Sequence, residues 1–214
     1  MRRAVCLIVL SVALMPLAGA ARTVADFFAS EPGKIFTLLT RTHRLDMVDY
    51  FLNGQSVAVQ NNMQGPTRLV EMDSAYLKLQ ESGSKVVEMR LLTAGRDTVI
   101  AVIETVMTPV ADSRLSLWNT NWEPAKKAGK LFKRMPVIDD FMTRKMPVDL
   151  RRDLQNVMAF PLIQLTFTGD RHDAVLATHG LQQFLVASEY ERFAAYFKPS
   201  LTYRISGIRI VPAK

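Results

Sequence analysis

A serine flanked by charged residues is the part of this sequence that comes nearest to a catalytic nucleophile. Ser113 stands between Asp112 and Arg114 at the beginning of a predicted strand. A catalytic triad assembles in space and not in sequence, so His172 or His179 would be its partner. Neighbouring Asp and Ser side chains also hydrogen-bond their own turn, without any chemistry. Both interpretations stay open: a hydrolase that uses Ser113 or an Asp/His group, and a structural turn.

The histidines and carboxylates lack the spacing of metal ligands. The chain has three histidines, His43, His172 and His179. None is followed by a second histidine four residues later, as a helical zinc pair requires. The segment 170–173, with an Asp at each end, could hold a cation but is typical of a hairpin tip. Asp46 and Asp49 could form a carboxylate pair but are typical of a solvated helix surface. With neither a glycine-rich phosphate loop nor a nucleophile elbow, the sequence predicts no metal site, no cofactor and no catalytic residue.

Two tryptophans provide the best candidate for a ligand-binding surface. Trp118 and Trp122 lie four residues apart on a strand predicted over 114–122, which places both on one face of the strand. Because Ser116 and Thr120 share this face, the indoles could form an exposed stacking surface for sugar or peptide. The alternative is that a terminal helix covers both tryptophans as part of the core.

Positive charge is concentrated in one segment. Nine bases lie between Lys126 and Arg152, against four acids as far as Asp153, and the local surplus is +5. A candidate patch for an anionic partner consists of Lys126, Lys127, Lys130, Lys133 and Arg134. Such a surplus attracts anionic lipid, polysaccharide or nucleic acid. Only Phe132 is interleaved with the bases of this patch, so nucleic-acid binding is not expected. The alternative is a solvated connector.

The first twenty residues have the three parts of a secretory signal. Met1-Arg2-Arg3 is basic, Ala4 to Leu17 is almost wholly apolar, and Ala18-Gly19-Ala20 offers small residues for cleavage. The apolar stretch is shorter than the roughly 20 residues that a membrane span needs. Cleavage after Ala20 would remove Cys6 and leave a mature chain without cysteine. We therefore expect export to the periplasm or cell surface, no transmembrane span after cleavage, and a fold held by its core rather than by disulfides.

The composition excludes several protein classes. Of the 214 residues, 49% are apolar and 22% are charged, a balance that excludes a disordered chain. Ten glycines and ten prolines without a period exclude collagen-like and low-complexity sequence. A polytopic membrane protein is excluded because only the leader could be buried in lipid. Residues 21–214 are predicted to form a single domain, with a basic irregular connector over 123–147.

The beginning of the mature chain has helical spacing. Apolar residues from Val24 to Phe28 mark a first helix. Ser30-Glu31-Pro32 is typical of a helix start, with proline early in the first turn. A second helix is therefore predicted to run from this start through Arg44–Leu52 and to end at Asn53-Gly54.

Between Val57 and Trp122 the hydrophobic period changes to two, which is typical of strands. Turns are predicted at 61–66, 82–84 and 94–97. The segment from Thr98 to Met107 is apolar on both faces, as expected of a central strand that is covered on both sides. Short connections make successive strands antiparallel neighbours, so this part of the chain predicts a meander.

The C-terminal part mixes helix and strand. A short helix is predicted after Pro147. A strand is predicted over 161–168 and a second, broken strand over 173–186, and Ser188-x-x-Glu191 predicts a capped helix start. The last strand is predicted over 201–211, where a slip in the apolar phase at Gly207 indicates a β-bulge. The predicted fold class is α+β: an antiparallel β-sheet meander with N-terminal helices and a C-terminal helix packed against it.

Five short motifs, spread over nearly the whole mature chain, carry a family resemblance. They are Arg44-Leu45-Asp46-Met47-Val48-Asp49, Tyr76-Leu77-Lys78-Leu79, Ala111-Asp112-Ser113-Arg114 with Trp122 downstream, Pro161-Leu162-Ile163-Gln164-Leu165, and Phe197-Lys198-Pro199-Ser200-Leu201-Thr202-Tyr203. With them the chain resembles an uncharacterised family of exported Bacteroidetes proteins, domain of unknown function 3256. It differs at Arg204, where that family is expected to carry Trp. The resemblance implies an exported envelope protein and implies no reaction.

The function that the sequence favours is a non-enzymatic binding or accessory module of the bacterial cell envelope. Its candidate sites are the face of Trp118 and Trp122 and the basic patch that begins at Lys126. The partner would be an envelope component, either a glycan, a lipid or a protein. Two alternatives stay open: the hydrolase described above, and a structural subunit whose apolar sheet face pairs with a partner in an envelope complex.

Overall fold

The computed structural model describes residues 21–126, 132, 134–157 and 162–213. These residues form two N-terminal helices, a six-stranded antiparallel sheet, a four-stranded antiparallel sheet and a group of short helices near the C-terminus. The predicted α+β class is confirmed, although the strands form two sheets rather than one. The predicted leader lies outside the described residues. None of the described helices is both long and apolar enough to cross a bilayer.

The six-stranded sheet is the predicted meander, in which each strand pairs with the next one along the chain. Its strands are β1 (Val59–Gln60), β2 (Pro66–Met72), β3 (Tyr76–Ser82), β4 (Lys85–Ala94), β5 (Asp97–Val106) and β6 (Asp112–Trp118). Sequence analysis misses β2, because a register shift between Leu69 and Glu71 interrupts its alternation. The predicted strand 114–122 ends early, because Asn119 Oδ1 accepts hydrogen bonds from the backbone of Asn121 and Glu123 and turns the chain.

The central strand β5 is covered on both faces, as predicted. Ile100 and Val102 pack in the cluster beneath the N-terminal helices, whereas Ala101 and Ile103 pack in the cluster between the two sheets. All four side chains are fully buried. The six-stranded sheet is therefore the middle layer of the molecule.

The N-terminal layer consists of α1 (Val24–Ser30) and α2 (Arg41–Leu52). Thr23 and Thr40 cap the two helices with their side chains. Val24, Phe27 and Phe28 of α1 are buried against the six-stranded sheet, which confirms the first predicted helix. The end of α2 at Asn53 also agrees with the prediction.

The predicted start of the second helix at Ser30-Glu31-Pro32 is wrong, because residues 31–40 form a loop around the Glu31 carboxylate. This buried carboxylate accepts hydrogen bonds from the backbone N–H groups of Gly33, Lys34 and Ile35. Gly33 has a φ of +87°, which a helix does not allow. The side chain that resembles a helix start therefore organises a compact turn.

Arg44, which is buried, fastens this loop to α2. Its guanidinium donates to the carbonyl oxygens of Leu39, at 2.7 Å, and of Glu31, and it lies 3.8 Å from the Glu31 carboxylate. Charged groups are rarely buried unless they are paired and hydrogen-bonded, as these two are.

The second sheet contains β7 (Ile163–Thr168), β8 (Ala174–His179), β9 (Ser200–Ser206) and β10 (Arg209–Pro212), in the order β10-β9-β8-β7. Ile163 at the start of β7 contacts Asp112 of β6, and Phe167 near its end contacts Glu88 of β4. The edge strand β7 therefore runs across the strands of the first sheet rather than along them.

Two predictions for the C-terminal strands are wrong. The predicted strand 201–211 is a hairpin, because Gly207, with a φ of +59°, is the first residue of the turn between β9 and β10 rather than a bulge. The predicted strand 173–186 ends at His179, since Gly180 begins a short helical turn. A Cβ at Gly180 would lie 2.4 Å from Val110 Cγ1, so this close approach needs glycine.

The remaining helices form a separate small group. They are a 3₁₀ helix (Ile138–Phe141), α3 (Val148–Val157), α4 (Leu181–Phe184) and α5 (Ala187–Ala194). The helix after Pro147 agrees with the prediction. The capping box at Ser188 is wrong, because α5 begins one residue earlier and its N-cap residue, Val186, has no side-chain hydrogen bond. Phe193 of α5 packs with Leu154 and Leu181 in a separate cluster.

Replacing Arg44 with Met should lower the free energy of unfolding by about 3–5 kcal/mol, because it leaves the Glu31 carboxylate buried without its ion-pair partner. Equilibrium urea denaturation measures this loss. The matched control is Arg41→Met, one turn away on the exposed side of α2, where a change within about 0.5 kcal/mol is expected. Equal effects of the two substitutions would contradict the role assigned to Arg44.

Candidate functional site

The Ser113 hydroxyl, the candidate nucleophile, lies in the interface between the two sheets. It is 8% exposed, and its oxygen accepts a hydrogen bond from the backbone N–H of Leu165 at 2.9 Å. The hydroxyl of Thr105 on β5 lies 2.8 Å away, and the Leu165 carbonyl oxygen lies 3.5 Å away. Within the described part of the chain, these partners include no imidazole. The hydroxyl therefore joins two strands instead of facing a substrate.

Ser113 is one of three side chains that bind the backbone edge of β7 that has no partner strand. Asp112 Oδ1 accepts from the N–H of Ile163 at 3.1 Å, Ser113 accepts from Leu165, and Glu88 Oε2 accepts from Phe167 at 2.8 Å. The three donors are two residues apart, so they point to the same side of the strand. Side chains of the first sheet thus take the place of a missing neighbouring strand.

Glu88 is the most buried of these acceptors. Its second oxygen accepts from the Thr166 hydroxyl at 2.8 Å, and Lys78 lies 3.6 Å away. Burial, together with Glu88, raises the pKa of Tyr76, which keeps this phenol neutral over the ordinary pH range. Both oxygens of the Glu88 carboxylate are thus used in structural hydrogen bonds.

Each histidine has its own separate environment. The ring of His43 accepts from the Thr40 N–H in the cap of α2, and His172 stacks on Tyr76 with its Nε2 at 2.9 Å from Glu71. His179 lies edge-on between Phe141 and Phe197. Among the described residues, no three His, Cys, Asp or Glu side chains are grouped as metal ligands. Asp46, Asp49 and the turn at Asp170 are exposed.

The two tryptophans lie together on the helix side of the first sheet, with ring centroids 6.2 Å apart. Trp122 is only 3% exposed, and Lys34 of the N-terminal loop donates to its carbonyl oxygen at 2.6 Å. Trp118 is half-buried, and its indole N–H donates to Ser116. Covering by the N-terminal segment, the alternative weighed from sequence, is thus observed for Trp122.

The basic patch is only partly described. Lys126 and Arg134 are exposed, whereas Lys127, Lys130 and Lys133 lie outside the described residues. Arg134 donates two hydrogen bonds of 2.6 Å to the Asp140 carboxylate, which also accepts from the Val137 N–H. This bidentate pair lowers the pKa of Asp140 and fixes the chain segment in front of the 3₁₀ helix.

A groove of about 700 Å³ opens beside this ion pair, and we call it the β9–β10 groove. Its lining combines charge, hydroxyl groups and apolar surface, from Phe132, Arg134, Asp140, Lys198, Thr202 and Tyr203. Phe132 and Tyr203 meet edge-to-face, with centroids 5.6 Å apart. Burial, and next to it the charge of Asp140, raises the pKa of Tyr203, so its hydroxyl stays protonated. The volume is in the range of small-molecule sites.

A second hollow, of about 400 Å³, adjoins this groove and shares Phe132 and Arg134 with it. We call it the β6 hollow, because Leu115, Leu117 and Trp118 of β6 line it. Met135 also belongs to its lining. Apart from Arg114, Ser116 and Arg134, its lining side chains are apolar. The structure therefore brings Trp118 and Arg134, two candidates from separate sequence arguments, to one hollow.

Comparison with known proteins places the chain in a family. A family model described as "Protein of unknown function (DUF3256)" matches residues 17–210. The chain belongs to this family. This confirms the resemblance carried by the five motifs. No match was found among curated proteins.

A solved structure shares the fold. It is a domain of an uncharacterised protein from Porphyromonas gingivalis W83, with a TM-score of 0.75 and 22% sequence identity. The match covers 89% of this chain and 97% of that one. The fold of this chain is thus seen in a second protein.

Sequence reasoning missed most of the β9–β10 groove. Lys198 and Tyr203 were part of a family motif, but nothing in their spacing indicates a site. Lys198 is positioned through its backbone, which donates to Phe141 and accepts from His179 Nε2 at 3.1 Å. The signal that could have found the groove is the mixture of hydroxyl and aromatic residues on β9.

Replacing Ser113 with Ala should lower the free energy of unfolding by about 1–3 kcal/mol, because the buried Leu165 N–H loses its acceptor. Urea denaturation of this variant beside Ser206→Ala, an exposed position on β9, tests the effect. The control should change by less than about 0.5 kcal/mol. A Ser113→Ala protein as stable as the control would contradict the structural role.

The stability of the protein should fall as the pH drops below 6.5, because His179 is buried. Burial lowers the pKa of His179 below 6.5 in the folded state, while the hydrogen bond to Lys198 opposes the shift. The stabilisation is fully present above pH 6.5 and is lost towards the folded-state pKa, since the unfolded chain binds the proton first.

Thermal unfolding of wild type and His179→Phe between pH 5 and 7.5 measures this effect. The wild-type Tm should fall more steeply on acidification than the Tm of the variant. The variant lacks the hydrogen bond to Lys198 at every pH. The difference between the two slopes of Tm against pH therefore reports the protonation of His179 alone. Parallel pH profiles would contradict the prediction.

Proposed function

We propose that this DUF3256 protein is an exported, non-enzymatic binding module of the bacterial cell envelope that holds its ligand in the β9–β10 groove. The single observation that carries the proposal is the mixed lining of this groove, in which a cation, hydroxyl groups and aromatic surface converge. Binding sites for small ligands commonly combine apolar walls with a few polar groups. The leader-like segment 1–20 supports the export part.

Hydrogen bonds within the protein position parts of the groove lining. The Arg134–Asp140 pair holds one wall, and the hairpin of β9 and β10 forms the other. Lys198 is tied by two backbone hydrogen bonds at the end of the groove. A preformed site loses less conformational entropy when a ligand binds.

The other two functions weighed from sequence find less support in the geometry. The Ser113 hydroxyl is occupied in the sheet interface, so a hydrolase would have to break that interface to use it. A structural subunit would need an uncovered apolar sheet face. Both faces of the first sheet are covered in the described part of the chain, by the N-terminal helices and by the second sheet.

Filling the groove should abolish binding without unfolding the protein. Ala213 is an exposed residue of the lining, so Ala213→Trp places an indole in the open space. Saturation-transfer NMR tests five probes from the candidate classes: chitotriose, muramyl dipeptide, the tripeptide Ala-Phe-Ala, dodecanoate and its monoglyceride. At least one should bind wild type, and Ala213→Trp should weaken it about tenfold, or ~1.4 kcal/mol.

The matched control is Ala195→Trp, the same substitution at an exposed residue outside the groove lining. This variant should bind as wild type does, and both should keep the wild-type Tm within a few degrees. Silence of all five probes, or equal weakening by both substitutions, would overturn the groove as a binding site.

A further inference from the structure

We propose that the ligand of the β9–β10 groove is a single-chain amphiphile with one negative charge, of the free fatty-acid type. Its carboxylate would lie at Lys198, and its chain would extend past Phe132 into the β6 hollow as far as Trp118. This inference rests on the proposed function, because it names the ligand class of the same groove.

The charges of the groove select a monoanion. Its described charged residues are Arg134, Asp140 and Lys198, with a net charge of +1. The Arg134 guanidinium already donates two hydrogen bonds to the Asp140 carboxylate, which neutralises its charge and weakens its attraction for a second anion. Lys198 has no ion-pair partner within 4 Å among the described residues. Asp140 would also repel a second negative charge on the ligand.

Two residues with hydroxyl groups belong to the groove together with Lys198. They are Ser200 and Thr202 of β9, whose hydroxyls are able to donate hydrogen bonds. A carboxylate offers two acceptor oxygens, which an ammonium and a hydroxyl can satisfy together. The groove therefore complements the head group in charge and in hydrogen bonding.

The apolar surface continues from the head-group region to β6. Phe132 belongs to the lining of both the groove and the β6 hollow, so an alkyl chain can follow its ring from one to the other. In the hollow the chain would contact Leu117, Trp118 and Met135. Each methylene removed from water strengthens binding by about fourfold. A chain of about a dozen carbons thus gains affinity from apolar contact as well as from charge.

Trp118 makes this arrangement measurable, because bromine quenches indole fluorescence only at near contact. Titration of the full chain with 12-bromododecanoate should quench the fluorescence of wild type. In Trp118→Phe the quenching should be lost while binding, followed by calorimetry, persists. Quenching that is undiminished in Trp118→Phe would overturn the placement of the chain, since Trp122 is buried and lines neither hollow.

Lys198→Met tests the head group, because methionine keeps the apolar stem and removes the charge. The dissociation constant of 12-bromododecanoate should rise by roughly threefold to fivefold, as expected for an exposed ion pair. The neutral 12-bromododecan-1-ol should bind wild type and Lys198→Met equally. The control, Lys145→Met, changes an exposed lysine outside both hollows and should leave the acid's affinity unchanged.

The outcomes separate this inference from the proposed function. Equal affinity of the acid and the alcohol for wild type, or equal effects of Lys198→Met and Lys145→Met, overturns the monoanion while groove binding stands. Binding of a glycan or peptide probe that Ala213→Trp blocks, without binding of 12-bromododecanoate, also overturns only the ligand class. If no probe binds, the proposed function falls as well.

Discussion

The rest of the molecule depends on one constraint, which is that the backbone N–H groups of the edge strand β7 need hydrogen-bond acceptors. An edge strand exposes a row of N–H groups that need acceptors, and here β7 is buried against another sheet instead of water. Asp112, Ser113 and Glu88 supply the acceptors from strands that β7 crosses. Two separate meanders are thereby joined without a shared strand, and the crossing direction of the second sheet is fixed. The apolar cluster between the sheets can pack only because these polar ends are satisfied.

This constraint explains why Ser113 resembles a nucleophile in sequence. A hydroxyl and a carboxylate next to each other at a strand end are what a triad needs, and they are also what an unpaired strand edge needs. The two uses differ only in the partner that arrives from far along the chain, and here it is the backbone of Leu165, 52 residues away. Sequence spacing cannot distinguish an imidazole from a backbone N–H in that position. Glu31 presents the same ambiguity, since a carboxylate that caps a helix also closes a turn.

The elements that could be predicted are those that depend on residues close together in the sequence. The meander from β3 to β6, the covered strand β5 and the helix α1 follow from alternation, turns and apolar spacing. The division into two sheets could not be predicted, because it depends on which strands meet across more than fifty residues. Gly207 shows the limit within a single element: a positive φ in a strand suits both a bulge and a hairpin turn, and only the pairing of Arg209 with Ser206 decides. The groove is harder to predict than any single element, because Phe132, Lys198 and Tyr203 come from segments that no periodicity connects.

The position of the groove follows from the same architecture. The second sheet is joined to the first by hydrogen bonds at β7, its far edge, whereas β9 and β10 pack against the first sheet through apolar residues. Phe132 and Arg134 lie beside these strands, with the ring of Phe132 against Tyr203 and the Arg134 guanidinium paired with Asp140. The two edges of the second sheet therefore differ. Side chains of the first sheet satisfy three N–H groups of β7, whereas the groove lies beside β9 and β10. A ligand in the groove would replace water along β9 without disturbing the bonds that hold the sheets together.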